Sequence, residues 1–146
     1  LYLILCLERK LSLKLSNENI RKERNLEACM SRARSAKAKG RRLQNLVRDK
    51  LREAFPSLHQ DDIQSQTMGM GGEDIVRTPA AKALIPWSFE CKNVERLQIW
   101  KAIEQCEENN PDGSNAAVVF KKNRKDPFVA IPLDVFIDLI REDVNV

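Results

Sequence analysis

The chain has 146 residues, of which 42% are hydrophobic and 32% are charged, and its formal net charge is +4. This length supports one globular core and is too short for us to expect two. Four cysteines and one histidine, without a C-x-x-C pair, argue against a zinc site and a disulfide framework, and they suit a reducing cytoplasm.

The N-terminal segment has seven apolar residues before Glu8, which is too short a run to span a bilayer. It also lacks the preceding basic region of a secretory signal, so we expect no membrane partner. From Met30 onward the sequence reads as the start of a basic, helix-led domain. Residues 1–36 are therefore predicted to be a loose extension marginal to function, and residues 37–146 to be the functional domain.

The segment between residues 31 and 52 is strongly basic. A single acid, Asp49, stands there against nine bases, which are Arg32, Arg34, Lys37, Lys39, Arg41, Arg42, Arg48, Lys50 and Arg52. Such a density favours a polyanionic partner, because each phosphate contact releases counterions. A solvated basic helix face is the alternative, and the run alone does not decide between them.

The first predicted helix covers residues 38–55, where apolar residues recur at helical spacing, and Pro56 ends it. Its cationic side is predicted to carry Arg41, Gln44, Arg48 and Arg52. Short strands are predicted at 63–68, 74–77 and 87–92. Between the last two, Thr78 is expected to cap a helical turn that has Pro79 at its first position.

The second half of the chain predicts a helix at 95–108, strands at 116–120 and 128–131, and a last helix that opens at Pro132. The expected buried stripe of the first of these helices is Ile99, Trp100, Ile103 and Cys106. The residues of the last helix expected to face inward are Val135, Phe136, Leu139 and Ile140. The whole order, α-β-β-β-α-β-β-α, indicates an α/β fold with a mixed sheet of about five strands.

Strand 87–92 is predicted to have one apolar face and one face with the candidate catalytic residues. Side chains alternate along a strand, so Trp87, Phe89 and Cys91 share one face and Ser88, Glu90 and Lys92 share the other. With Asp74 from the preceding strand, Glu90 and the Cys91 carbonyl are predicted to hold Mg²⁺ or Mn²⁺, since hard oxygen ligands suit these ions. Lys92 would then orient a water or neutralise charge on a phosphate, whereas the neighbouring Glu73 is expected to face solvent.

The pattern of Asp74 followed by Glu90-Cys91-Lys92, in this order of elements, resembles the PD-(D/E)XK nuclease superfamily over roughly residues 37–140. The local text of residues 72–75 and 88–93 is most similar to small phage-encoded endonucleases of the Holliday-junction-resolvase-like kind. No proline precedes Asp74. The resemblance implies a restriction-endonuclease-like fold and a Mg²⁺-dependent DNA endonuclease in a phage or bacterial host cytoplasm.

The resemblance also assigns roles to residues. Asp74 and Glu90 become metal ligands and Lys92 the catalytic lysine, while Gln44 stands where resolvases place a helix glutamate and Gln105 where some members place a glutamine. Branched or structured DNA and a homodimer are the implied partners. The basic helix and a basic hairpin tip, for which a solvated turn is the alternative, supply the residues expected to contact the DNA backbone, which are Arg41, Arg42, Arg48, Lys121, Lys122 and Arg124. The alternative is a non-catalytic nucleic-acid-binding domain in which Glu90 and Lys92 form a surface ion pair.

Overall fold

The computed structural model describes the backbone of residues 2–67, 69–110 and 112–144, and the side chains of residues 18–67, 69–110 and 112–142. The chain divides into two compact units, one up to Ala36 and one from Lys37 onward. Met68, the predicted last residue of the first strand, lies outside the described residues.

Helix α1 covers Tyr2–Ala54. Residues 2–36 are therefore helical; that they form a loose extension marginal to function stays a prediction. Their side chains from residue 18 onward are exposed. The helix ends where Pro56 predicts, and the Phe55 amide donates the last helical hydrogen bond to the Leu51 carbonyl at 3.0 Å.

The first sheet of the second unit is a short antiparallel pair. Strand β1 (Ile63–Ser65) follows a 3-10 turn at Gln60–Asp62 and pairs with strand β2 (Ile75–Arg77). Helix α2 (Pro79–Leu84) comes next, with the Thr78 hydroxyl accepting from the Ala81 amide, so the predicted cap is confirmed.

The second sheet has the order β3-β4-β5. Strand β3 (Trp87–Asn93) and strand β4 (Asn115–Lys121) are parallel and are connected by helix α3 (Ile99–Glu108), as parallel neighbours require. Strand β5 (Phe128–Ala130) is antiparallel to β4, and helix α4 (Leu133–Val144) follows it.

The mixed α/β class is confirmed, and the described residues contain five strands as predicted, but these form two sheets rather than one. The physical reason lies at β2, which is only three residues long. Its approach to β3 is made by one backbone hydrogen bond, from the Asp74 amide to the Phe89 carbonyl at 3.1 Å. One bond does not make a ladder, so the two sheets adjoin without merging.

Helices cover both faces of the β3–β4 pair. Leu43 and Val47 of α1 pack with Phe89, Cys91 and other residues of one core cluster, and this confirms the predicted apolar face of β3. Ala102 and Cys106 of α3 pack on Val118 from the other side. The three layers bury apolar surface on each face of the sheet, which is the main stabilising term of the fold.

The predicted helix faces are correct only in part. On α3, Cys106 is buried and Ile99 and Ile103 pack against the same core cluster as predicted, but Trp100 is 75% exposed and Ala102 is buried instead. On α4, Val135 is half-buried, whereas Phe136, Leu139 and Ile140 are exposed, since in the described part of the chain little covers this helix. No helix among the described residues combines the length and apolar character needed to cross a membrane.

Candidate active site

Asp74 is hydrogen-bonded to the edge of β3 that faces away from β4. The Phe89 carbonyl accepts from the Asp74 amide at 3.1 Å, and the Cys91 amide donates to Asp74 Oδ2 at 2.6 Å. The N–H and C=O of one strand residue point toward the same edge, so the Cys91 carbonyl faces the side on which Asp74 lies. This placement agrees with the predicted role of that carbonyl as an oxygen donor.

Gln44 of α1 lies against the same carboxylate. Its side chain is buried, and Nε2 donates to Asp74 Oδ1 at 2.5 Å. The other amide atom, Gln44 Oε1, is buried and has no hydrogen-bond partner. A buried acceptor without a donor costs about 1–3 kcal/mol, and an ordered water or a cation would relieve that cost.

Glu90 and Lys92 lie on the face of β3 that α3 covers. Glu90 is only 3% exposed, and Lys92 Nζ lies 2.5 Å from Glu90 Oε1. The same ammonium donates to Gln105 Oε1 of α3 at 2.7 Å. The predicted catalytic lysine is thus held between the predicted acid and Gln105, so these three residues form one hydrogen-bonded group.

Both acids have raised pKa values. Burial raises the pKa of Asp74, while the Cys91 amide, the Gln44 amide and the Lys92 charge act in the opposite direction. Burial also raises the pKa of Glu90; Lys92 opposes this and the charge of Asp74 adds to it. The two carboxylates therefore interact, and each would be stabilised in its ionised form by a cation placed near both.

The oxygen donors of this cluster fit a hard divalent cation. They comprise two carboxylates, a strand carbonyl and the unpartnered Gln44 Oε1, and oxygen-only sets of this kind suit Mg²⁺ or Mn²⁺. Among the described residues no group of three or more His, Cys, Asp or Glu side chains is arranged to hold a metal, and any site here would depend on neutral oxygens and water as well. Mg²⁺ commonly keeps several waters, so two acids are sufficient.

The sequence analysis did not predict the buried ion pair that Glu73 and Arg77 form beside Asp74. The expectation that Glu73 faces solvent is wrong, because its carboxylate lies 2.7 Å from the buried guanidinium of Arg77. Arg77 also donates to the Ile85 carbonyl at 2.5 Å and lies 5.9 Å from the Phe89 ring centroid. Strand alternation places Arg77 on the same face as the buried Ile75, and this was the available signal.

The predicted DNA-contacting residues are placed unequally. Arg41, Arg42, Lys122 and Arg124 are exposed, and Lys121 is half-buried. Arg48 instead pairs with Asp49 at 2.7 Å and donates to Asn45 at 3.2 Å. On the predicted cationic helix side, Gln44 is buried and Arg52 donates to the carbonyls of Ile63 and Gln60, so these two side chains are engaged within the protein.

Comparison with known proteins finds no matching family model, no matching curated protein and no matching solved structure. A function must therefore be inferred from the residues of this chain and their contacts.

Proposed function

We propose that the chain is a metal-dependent DNA endonuclease of the PD-(D/E)XK kind on a restriction-endonuclease-like fold, acting on branched or structured DNA. The observation that supports this proposal is the hydrogen bond from the Cys91 amide to the Asp74 carboxylate at the edge of β3. Cys91 lies between Glu90 and Lys92, which form an ion pair. Two desolvated acids and a lysine in one place suit hydrolysis of a phosphodiester better than they suit stability.

In the proposed reaction, Asp74, Glu90 and the Cys91 carbonyl would hold Mg²⁺ or Mn²⁺. A bound ion of this kind polarises the phosphate and lowers the pKa of the attacking water. Lys92 neutralises charge that develops on the phosphate, and Gln105 keeps its ammonium in place. Gln44 fixes the orientation of the Asp74 carboxylate through its amide.

The exposed arginine and lysine side chains would bind the DNA backbone. Arg41 and Arg42 on α1, with Lys122 and Arg124 at the β4–β5 hairpin, are exposed and suited to phosphate contacts. Contacts of this kind recognise the shape of DNA rather than its base sequence. The proposal therefore favours a structure-selective nuclease.

We further infer that the chain pairs with a second copy through α4. The residues Leu133, Phe136, Ile137 and Ile140 recur at i, i+3, i+4 and i+7 and are each at least 44% exposed. With Leu139 and the exposed Phe128 and Val129 of β5, they leave on the order of 700 Å² of apolar surface, at about 200 Å² for a large side chain. A specific interface buries at least about 500 Å² per partner, so this surface suffices for a two-fold dimer of slightly less than standard size.

A non-catalytic nucleic-acid-binding domain is the second candidate. The ion pair is not on the surface as predicted, because Glu90 is buried. The contact between Lys92 and Glu90 nevertheless favours this candidate, because an acid already paired with an ammonium is electrostatically satisfied without a metal. In that case Glu90 and Lys92 would serve only to hold α3 on the sheet.

Cleavage assays distinguish the two candidates. Supercoiled plasmid and a synthetic four-way junction are incubated with Mg²⁺ or with a chelator, and DNA binding is measured in parallel by fluorescence anisotropy. We expect Mg²⁺-dependent cutting that Asp74→Asn, Glu90→Gln and Lys92→Met each abolish without loss of binding. The control is Glu104→Gln, the same exchange on the exposed side of α3.

Retained Mg²⁺-dependent cutting by Glu90→Gln would exclude this site. Binding without cutting by the unmodified protein would instead establish the non-catalytic candidate.

A further inference from the structure

A cleft lined by both polar and apolar side chains lies near the candidate active site. It has a volume of about 440 Å³ and lies between α1 and the ends of β3 and β4, and its lining includes Arg42, Asn45, Leu46, Asp49, Asn93 and Lys121. The size falls within the range of about 300–1,000 Å³ that is usual for small-molecule sites. The Asn93 amide nitrogen donates to the Lys39 carbonyl at 3.2 Å, which ties β3 to α1 at this cleft.

The cleft and the candidate active site share two elements. Asn45 follows Gln44 on α1, and Asn93 shares the face of β3 that carries Cys91; Gln44 and Cys91 both bond to Asp74. Lys121 of β4 lies opposite Asn93 in the parallel register. A ligand in the cleft would therefore lie on the α1 side of β3, near the two residues that bond to the proposed metal ligand Asp74.

The cleft offers groups for both parts of a nucleotide. Arg42 and Lys121 supply positive charge for phosphates, while the charge of Asp49 is offset by its ion pair with Arg48. Leu46, which is 36% exposed, gives an apolar surface for a base. Unstacked bases are commonly bound in this way, between apolar side chains and groups that hydrogen-bond to the base edge.

Two amides could recognise that edge. Asn93 Oδ1 is buried and has no hydrogen-bond partner, so a donor from a ligand would satisfy it. The Asn45 carbonyl oxygen accepts from Ser65 Oγ at 3.0 Å and from Arg48 at 3.2 Å, which leaves its amide nitrogen to donate. The cleft thus combines an acceptor, a donor and two cations.

We propose that this cleft binds one unpaired nucleotide of the DNA strand next to the scissile phosphate. The inference rests on the proposed function and names its substrate class, which is DNA with an unpaired nucleotide at the cut, as at a branch, gap or flap. A cleft of this volume admits a single nucleotide and excludes a stacked base pair within a duplex. Fully paired DNA would contact only the exposed arginine and lysine side chains around the cleft.

The test measures binding in a chelator, so that no cleavage is needed. Fluorescein-labelled duplexes of one sequence, either fully paired or with one unpaired 2-aminopurine nucleotide, are titrated and followed by anisotropy and by 2-aminopurine fluorescence. We expect at least fivefold tighter binding of the unpaired DNA and a change in 2-aminopurine fluorescence. Asn93→Leu and Lys121→Met should each remove most of that preference.

The matched control is Lys101→Met, which removes one exposed lysine from α3 outside the cleft and should leave the preference unchanged. Since Asn93 also bonds to α1, Lys121→Met keeps the test valid if Asn93→Leu fails to fold. Equal affinity for paired and unpaired DNA, or equal loss of both in Lys121→Met, would overturn the inference. Preference without any Mg²⁺-dependent cutting would retain the nucleotide cleft and reject the nuclease.

Discussion

The amide nitrogen of Gln44 donates to Asp74 Oδ1 at 2.5 Å, whereas the amide oxygen of the same side chain is buried without a partner. A helix residue is thereby fixed to an acid that precedes β2. The contact brings α1 and the edge of β3 together, and it leaves one oxygen of the pair for a water or a cation.

Exchanging Gln44 for glutamate should make the stability of the protein depend on divalent ions. In a chelator, Gln44→Glu replaces a hydrogen bond to a charged group by repulsion from Asp74, and we expect a loss of about 2–3 kcal/mol. Mn²⁺ or Mg²⁺ should restore most of it, because a third carboxylate strengthens an oxygen site. Thermal unfolding with and without the ion measures both effects.

Gln44→Met is the control for this prediction. It removes the same hydrogen bond without adding charge, so it should lose stability and gain no more from Mn²⁺ than the unmodified protein does through Asp74 and Glu90. An equal response of the two variants to Mn²⁺ would contradict contact between residue 44 and the ion, and no response of either variant or of the unmodified protein would contradict a metal site at Asp74.

The raised pKa of Glu90 predicts how stability changes with pH. The pKa of Glu90 is higher in the folded protein than its unfolded value of about 4.5, so the protonated acid favours folding. The free energy of unfolding therefore falls as pH rises from the unfolded pKa through the folded pKa. Glu90→Gln cannot ionise and still offers an acceptor to Lys92. We expect this variant to be at least as stable as the unmodified protein at pH 7 and to lose its advantage at pH 4.

Melting temperatures recorded by circular dichroism between pH 4 and pH 8 test this expectation. A melting temperature for Glu90→Gln that falls below that of the unmodified protein at pH 7, but matches it at pH 4, would show that ionised Glu90 stabilises the fold.

The buried pair of Arg77 and Glu73 should be costly to break. Their side chains are 0% and 9% exposed, so Arg77→Met leaves a carboxylate without its partner and is expected to cost about 3–5 kcal/mol. Adding Glu73→Gln should recover part of this loss. The comparison is Lys82→Met, which removes the lysine of the more exposed ion pair with Asp112 and should cost less than about 1 kcal/mol. Urea unfolding measures all three.

The sequence predicts those parts of this fold that local chemistry determines. The alternation along β3 placed Phe89 and Cys91 in the core, and the Thr78 hydroxyl with Pro79 identified the start of α2. The same alternation put Glu90 and Lys92 on one face, where they contact each other. In each case the information lies within a few neighbouring residues.

Other features depend on partners distant in the chain and could not be predicted. The separation into two sheets depends on how far β2 runs alongside β3, which no local pattern encodes. Trp100 has the apolar character of a core residue, yet Ala102 occupies the contact with the sheet. The hydrogen bond from Lys92 to Gln105 likewise required the packing of α3.

The β4–β5 hairpin carries a residue in an unfavourable conformation. Arg124 has φ of 58°, a left-handed value that costs a non-glycine residue roughly 1–2 kcal/mol. Arg124→Gly should therefore raise the free energy of unfolding by about 1 kcal/mol, and it should weaken DNA binding through loss of a phosphate contact. Arg124→Lys is the control, since it keeps the charge and the strain. A destabilised glycine variant in urea unfolding would contradict the prediction.

The apolar surface of α4 predicts how the oligomeric state responds to substitution. Phe136 and Ile137 are 48% and 51% exposed, so a charge at either position disturbs the folded monomer little but would be buried in the proposed dimer. Phe136→Glu and Ile137→Glu should each convert a dimer into a monomer in light scattering after size-exclusion chromatography. Asp134→Asn, on the charged side of the same helix, should remain dimeric. A monomeric unmodified protein at high micromolar concentration would reject self-association through α4.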